Sequence, residues 1–293
     1  MMGGNGLKLM HTAQRAGRLS SFLKEELHMS TGLMNRLKWQ NKLFVNGIPV
    51  HTDHAVHPGD VITVPLDEEK PDYPAQDGPL EILYEDEHIL LVDKPAGMLV
   101  HPSRAQNENT LANYIQGYYR RTGQCCACHP ITRLDRDTYG VVLMAKNAHV
   151  HAFFTAAQEQ GQLQKLYHAF VFGAPEQEEG IIDAPIARRP LPSLLRFIDP
   201  SGKPSQTRFR VLQRLSDRTL LELQPLTGRT HQLRVHCAHM GFPILGDPQY
   251  CTEASRAASQ GLVSQLLCAK SLTFPHPVTG EVLTVVSRQS AMP

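Results

Sequence analysis

The 293-residue sequence predicts an α+β fold, in which a body built on a mainly antiparallel mixed sheet follows a small N-terminal module. Three observations carry this. Beyond residue 80, short strand-like runs outnumber helical patterns and do not alternate regularly with them, as a doubly wound sheet would require. A stretch holding three prolines, one glycine and five acids, Asp67–Leu80, interrupts the chain as a linker by composition. The length suits one large domain or two unequal ones, with enough chain to bury a core unaided by disulfides or metals. The boundaries read as a tail over 1–16, a module over 17–66, the linker over 67–80 and the body over 81–293.

In the module, Leu19, Phe22, Leu23 and Leu27 follow the spacing of one helix face, and Ser30 is placed to cap a second helix carrying Leu33, Met34 and Leu37. Strand-like residues 42–45 run into the turn Asn46-Gly47, and a turn at Pro58-Gly59-Asp60 precedes a strand over 61–64. In the body, strands are predicted over 82–84, 88–92, 140–145, 167–172, 207–212, 220–223, 266–274 and 282–286. Helices are predicted over 110–119, 148–160 and 230–240, each bounded by glycine or a capping residue.

Apolar residues make up 41% of the chain, no run approaches the ~18 needed to span a bilayer, and the N-terminus has no signal-peptide block. A cytoplasmic protein with no membrane association is expected. The net charge of +1 conceals a division: residues 1–50 carry +5, residues 51–93 carry −11 and the remainder +7. Two basic surfaces separated by an acidic segment suit contact with a polyanion. Cys125, Cys126, Cys128 and His129 look like half a metal knuckle. The only candidate second half, His231, His236, Cys237 and His239, is better explained otherwise, so no metal is expected and the thiols are read as incidental.

The densest chemical constellation is the run from Thr132 to Gly140, where Asp135 lies between Arg133 and Arg136 ahead of an apolar strand. Cationic neighbours keep a carboxylate ionised, which suits a nucleophile or an electrostatic stabiliser rather than a general acid. Thr227-Gly228-Arg229-Thr230 reads as a tight turn opening a helix, whose free amides favour an anion. His231 and His236 on that helix read as structural histidines.

The run Arg133-Leu134-Asp135-Arg136-Asp137-Thr138 with Gly140 resembles the catalytic loop of RluA-type pseudouridine synthases. Four further segments are similar to motifs of that family: Tyr84–Met98 with Val100-His101-Pro102, Lys165–Ala169, Leu226–His236 continuing to Pro243–Asp247, and Phe274–Pro277 with Thr279-Gly280-Glu281. Together they span most of 81–293. The module resembles the small α-L RNA-binding domain named after ribosomal small-subunit protein four. Thr132, Tyr139 and Cys268 depart from the family, which usually has His, Ser and often His there.

The resemblance implies the pseudouridine synthase fold and an enzyme that isomerises uridine to pseudouridine in structured RNA, ribosomal in the first instance, by base flipping and aspartate-dependent cleavage of the glycosidic bond. It makes Asp135 the catalytic aspartate, attacking either sugar or base. It places Tyr167 against the target uracil and in proton transfer, and Arg234 in an ion pair with Asp135, with Arg229 the other candidate for that pair. Arg133 enters the helix vacated by the flipped nucleotide, and Arg136 and Arg229 meet RNA in the body; the module lacks the arginine often found near Ser30 to Gly32 in the domain it resembles, and Arg36, Lys38 and Lys42 are read as compensating for it. The chemistry needs no cofactor. An aromatic floor of Tyr167, Phe170 and Phe172 is expected to retain the detached base. A monomer needing no protein partner is expected. Two other readings remain: a non-catalytic ribosome-assembly factor, and a nucleoside glycosidase, which wants a second, neutral carboxylic acid.

Overall fold

The computed structural model describes residues 8–27, 29, 31–65, 73–103, 106–190, 193 and 195–291. The cap proposed at Ser30 and the linker residues 67–72 lie outside them.

The N-terminal module contains β1 (Lys8–Thr12), β2 (Gly17–Arg18), α1 (Leu19–Glu25), α2 (Thr31–Trp39), β3 (Phe44–Val45), β4 (Ile48–Pro49), β5 (Ala55–Val56) and β6 (Val61–Pro65). Asn46 and Gly47 both take positive φ, 51° and 79°, which gives the β3–β4 hairpin a turn whose twist matches its strands. Leu19, Phe22 and Leu23 of α1 pack with Leu37 of α2, Leu43, Val45 and Ile62. The tail expected over 1–16 is corrected: Lys8–Thr12 pairs antiparallel with β6, and Leu9 and Ala13 enter the core. A five-residue strand that buries one apolar side chain carries too little pattern to be read beforehand.

The body contains β7 (Ile82–Glu85), β8 (Ile89–Lys94), α3 (Leu111–Thr122), β9 (His129–Pro130), β10 (Tyr139–Ala145), α4 (Ala148–Glu159), β11 (Gln164–Phe172), β12 (Glu179–Asp183), β13 (Ile186–Arg188), β14 (Arg196–Ile198), β15 (Gln206–Arg214), β16 (Arg218–Pro225), α5 (Gln232–His239), α6 (Glu253–Ala258), β17 (Leu267–Pro275) and β18 (Val282–Val286). Its sheet of ten strands runs β12-β15-β16-β11-β17-β10-β8-β7, with β18 beside β17 and β9 beside β10. The pairing is antiparallel except at β10–β17, where Tyr139 lies opposite Cys268 and Gly140 opposite Ala269. Gly140 has φ +109°, and a Cβ there would meet the Ala269 carbonyl oxygen at 2.3 Å, so the chain passes from the loop at 131–138 into β10 only through glycine.

Strands β8 and β10 are buried at every position because both faces are covered, which is why they read as unbroken apolar runs. Leu90 and Val92 pack with Leu111, Ile115 and Tyr119 of α3, whereas Ile89 and Leu91 pack with Val150 and Phe154 of α4. Thr110 and Asn113 form a reciprocal cap on α3, and the Asn147 side chain caps α4 by accepting from the Val150 amide.

Two further expectations are corrected. The described end of the linker, 73–80, is docked rather than free: Asn113 Nδ2 donates to the Pro74 carbonyl at 2.9 Å, and the Gln76 amide donates to the Asn113 carbonyl at 3.0 Å. A Cβ on Gly117 would come within 1.9 Å of the Gln76 oxygen, so α3 admits this strap only beside a glycine. The helix expected over 230–240 begins at Gln232, because His231 takes the left-handed conformation, φ 57°. The hairpin of β13 and β14 and strand β12 carried no signal strong enough to predict.

Candidate active site

The loop between β9 and β10 projects Asp135. Its two ends are fixed from outside: the Leu143 amide donates to Thr132 Oγ1 at 2.9 Å, and Gln265 Nε2 donates to Thr138 Oγ1 at 2.5 Å. Between them, the buried Lys94 donates through Nζ to the carbonyls of Pro95, Met98 and Arg136 at 2.9, 2.8 and 2.9 Å. One side-chain nitrogen thus ties the loop after β8 to the residue following Asp135. Burial pushes Lys94 down to about 7, against the fields of Asp137 and Asp135. Lys94→Met keeps the bulk but strands three carbonyls, each worth about 1–3 kcal/mol when buried unpaired. Faster amide exchange over 131–138 and lower turnover are expected, and hydrogen-exchange mass spectrometry checks the first; unchanged exchange contradicts the anchoring role.

The charge partner of Asp135 is Arg234 of α5, whose Nη1 lies 3.0 Å from Asp135 Oδ2. Arg234 is itself gripped by Asp247, with Nε 2.7 Å from Oδ2 and Nη2 2.9 Å from Oδ1, and Nη2 also donates to Gln249 Oε1 at 2.8 Å. The Asp247 side chain is fully buried. Burial alone would loosen the Arg234 proton, but the hydrogen bonds and charges of Asp247 and Asp135 more than offset it and hold it above the ordinary guanidinium range. The fork of Arg234 is therefore spent on Asp247 from behind, leaving one arm aimed at Asp135.

The neighbours in sequence do not supply this pairing. Arg136 turns away and donates to Gln106 Oε1 at 2.9 Å, and Arg229, the other candidate, donates to the Pro204 carbonyl at 3.2 Å. Arg133 is exposed at the rim. The amides expected to be free at the α5 turn are partly taken, since Gln232 Oε1 accepts from the Arg229 amide at 3.0 Å.

Asp135, Arg133, Arg229, Arg234 and Tyr167 line one cavity of about 980 Å3. Burial, and then the Asp135 charge, raise Tyr167 well above the ordinary phenol range, so its hydroxyl stays protonated at neutral pH. The aromatic floor is corrected: Phe170 and Phe172 belong to a separate cluster with Tyr139 and Leu245, while Tyr167 packs with Ala169 and Val171. Alternation along β11 sends odd and even positions to opposite faces. Apolar lining comes instead from Ile131, Leu134, Leu233 and Leu267. Thr132 and Tyr139 are buried, and Cys268 Sγ lies 3.9 Å from Ser287 Oγ, so the three departures from the family's usual residues sit in packing around the loop.

His231, read from sequence as structural, belongs to this site. Its Nδ1 lies 2.8 Å from the Tyr250 hydroxyl, which accepts from the Arg196 amide at 2.9 Å, and its Nε2 lies 3.9 Å from Asp135 Oδ2. Burial lowers its pKa, with Asp135 opposing, so the ring is neutral near pH 7. His236 is structural, held by Thr207 Oγ1 at 2.9 Å and the Ala184 carbonyl at 3.0 Å. Lys94, Asp247 and Tyr250 received no role from sequence. The first two lie within the family-like segments, but nothing local marks Asp247 as the support of an arginine 13 residues away. Among the described residues no group of three or more His, Cys, Asp or Glu is placed to hold a metal ion, and no helix is long and apolar enough to cross a membrane.

Comparison with known proteins gives the family. The chain belongs to the RNA pseudouridylate synthase family, whose model matches residues 88–239. It is an isomerase acting on RNA, and of the RluA type. An uncharacterized RNA pseudouridine synthase of Bacillus subtilis, YjbO, is 38% identical over 87% of this chain and 90% of its own. Ribosomal large subunit pseudouridine synthase D of Pseudomonas aeruginosa is 34% identical over 91% of this chain and 86% of its own. The solved structure of human RNA pseudouridylate synthase domain containing 1 superposes with a TM-score of 0.62 at 25% identity, covering 74% of this chain and 86% of that one.

Proposed function

We propose that this enzyme converts uridine to pseudouridine in large-subunit ribosomal RNA, with Asp135 as its catalytic carboxylate. The observation that carries the chemistry is the ion pair of Asp135 with an arginine whose other arm is locked on a fully buried carboxylate, at the wall of a cavity shared with Tyr167. Such a pair fixes the Asp135 carboxylate in place, ready to meet the positive charge that develops on a ribose as its glycosidic bond breaks. Attack on the sugar or on the base satisfies the same geometry. The N1–C1′ bond breaks, the uracil turns within the cavity, C5 bonds to C1′, the C5 proton leaves and N1 gains one. Atoms and electrons balance without an oxidant or a cofactor.

A uridine inside folded RNA reaches this cavity only when extruded, at a cost of a few kcal/mol. In this reading Arg133 fills the vacated stack, Arg136 and Arg229 meet phosphates nearby, and Arg36, Lys38 and Lys42 add contacts from the module. The ribosomal target is supported by the relatives named for the large ribosomal subunit and by the module's resemblance to a ribosomal RNA-binding domain. The reading takes the enzyme as a cytoplasmic monomer that needs no protein partner. Carbodiimide-dependent reverse-transcription stops, mapped on ribosomal RNA from cells with and without the gene, test the target; stops lost from the large-subunit RNA are expected, and an unchanged map refutes it.

Tyr167, with its hydroxyl protonated, serves as a stacking surface and a proton donor rather than as a phenolate base. Tyr167→Phe keeps the ring, so KM should hardly change while kcat falls roughly 10²-fold, the lower end of general acid–base contributions. Steady-state kinetics on a substrate stem-loop measure the split; an unchanged kcat removes the hydroxyl from the chemistry.

A further inference from the structure

The chain has one tryptophan, Trp39, and it is 83% exposed. It closes α2, whose inward face is set by the buried Leu37 and the partly buried Leu33 and Met34. At 100° per residue, position 39 points nearly opposite that face, beside the exposed Asn35 and Arg36 one turn earlier. Trp39 therefore cannot fold back onto the module's own core, and the cavity around Asp135 does not include it.

Its surroundings state what it faces. No acidic residue occurs between Glu26 and Asp53, while Arg36 and Lys38 occupy the last turn of α2 and Lys42 follows it. Glu25 and Glu26, the carboxylates just before this stretch, are engaged by Arg15, at 2.8 and 3.1 Å. A large, flat π-surface on a basic stretch of chain that holds side-chain amides and no carboxylate matches the requirements of an unpaired nucleobase attached to its phosphates. A hydrophobic protein partner would gain from the indole but not from the cations. Among the described residues of the module, the other large apolar side chains that are exposed, Met10 and Ile48, have no ring to offer a base.

We propose that Trp39 is a stacking platform for an unpaired base of the RNA substrate, outside the catalytic cavity, with Arg36 and Lys38 of the same helical turn holding the adjoining phosphates. The inference rests on the reading of the protein as an RNA-modifying enzyme and adds a second contact point, chosen by single-strandedness, to it. Base–aromatic stacking of this kind changes affinity roughly five- to 150-fold on removal.

Because Trp39 is the only indole, the full chain reports on itself. Its fluorescence is followed while a short oligouridylate is added, and again with the same strand annealed into a duplex. Quenching that saturates with the single strand and is much weaker with the duplex is expected. Trp39→Ala should weaken oligouridylate binding within that range by fluorescence anisotropy of a labelled strand, and Trp39→Phe should recover most of it, as an exposed structural tryptophan would not require. Quenching absent with both RNAs, equal quenching by the duplex, full affinity in Trp39→Ala, or an emission shift that follows protein concentration without RNA each overturns the proposal. Pseudouridine formation by the wild-type protein is measured on its own substrate RNA in parallel, so pseudouridine without quenching refutes the platform alone, and quenching without pseudouridine refutes the catalytic reading alone.

Discussion

Asp135→Asn should abolish pseudouridine formation while leaving RNA affinity within a few-fold of wild type. The substitution keeps the size and one acceptor oxygen but removes the anion. An amide neither attacks an electrophilic carbon nor offsets oxocarbenium charge, and losses for removing a nucleophile that works with its partners reach about 10⁴-fold or more in turnover. Affinity should survive because, in the proposed reading, it resides elsewhere, in rim and module cations assigned to phosphate. Asp135 makes no backbone contact that Asn would forfeit beyond its carbonyl, which accepts from the Thr138 amide at 3.2 Å in either case. Nucleoside analysis of digested RNA reads the product, and filter binding at matched salt reads the affinity. Product at wild-type levels would remove Asp135 from the chemistry, and affinity falling in parallel with activity would make it a binding residue instead.

Arg234→Met should damage both stability and activity. It leaves Asp247 as a fully buried carboxylate with no arginine bond and only the Gln249 and Tyr250 amides, at 2.9 and 3.2 Å, and removing one partner of a buried ion pair costs about 3–5 kcal/mol. For a body of this size that corresponds to a fall of roughly 10 °C in melting temperature. Asp135 loses its only partner within 3.5 Å among the described side chains, so turnover should fall even at temperatures where the variant is folded. Arg234→Met with Asp247→Leu separates the two effects: it should recover much of the stability, because no buried charge is left, and none of the activity. A single variant that keeps its melting temperature would show that the Arg234–Asp247 contact is not what holds α5 against the segment after it.

Which parts of this design could be read beforehand follows from where the information lies. Strands β8 and β10 and helices α3 and α4 were legible because long apolar runs and capping residues are local signals. The aspartate loop was legible as a charged constellation, but its local logic pointed to the wrong cations. Arg133 and Arg136 flank Asp135 in sequence, yet the guanidinium that meets it comes from 99 residues downstream. The lysine that ties down the loop from 42 residues upstream left no mark of its own either. Phe170 and Phe172 misled for a related reason: proximity to Tyr167 in a strand means opposite faces unless the spacing is even. Strand β1 and the strap at 73–80 escaped because each is fixed by its partner, β6 in one case and the groove at Gly117 in the other, rather than by its own composition. His231 is the instructive residue within the site. Its left-handed backbone and its bond to Tyr250 exist only in the folded loop.

The central claim is that the Asp135 carboxylate drives the exchange of N1 for C5 at the ribose. Substrate RNA carrying tritium at C5 of uridine loses that label to water only if the exchange is completed. Wild-type protein and Asp135→Asn, compared at equal RNA occupancy, should release tritium and retain it, respectively. Release by both at similar rates, or by neither while the wild type is bound to its mapped ribosomal site, would contradict the account.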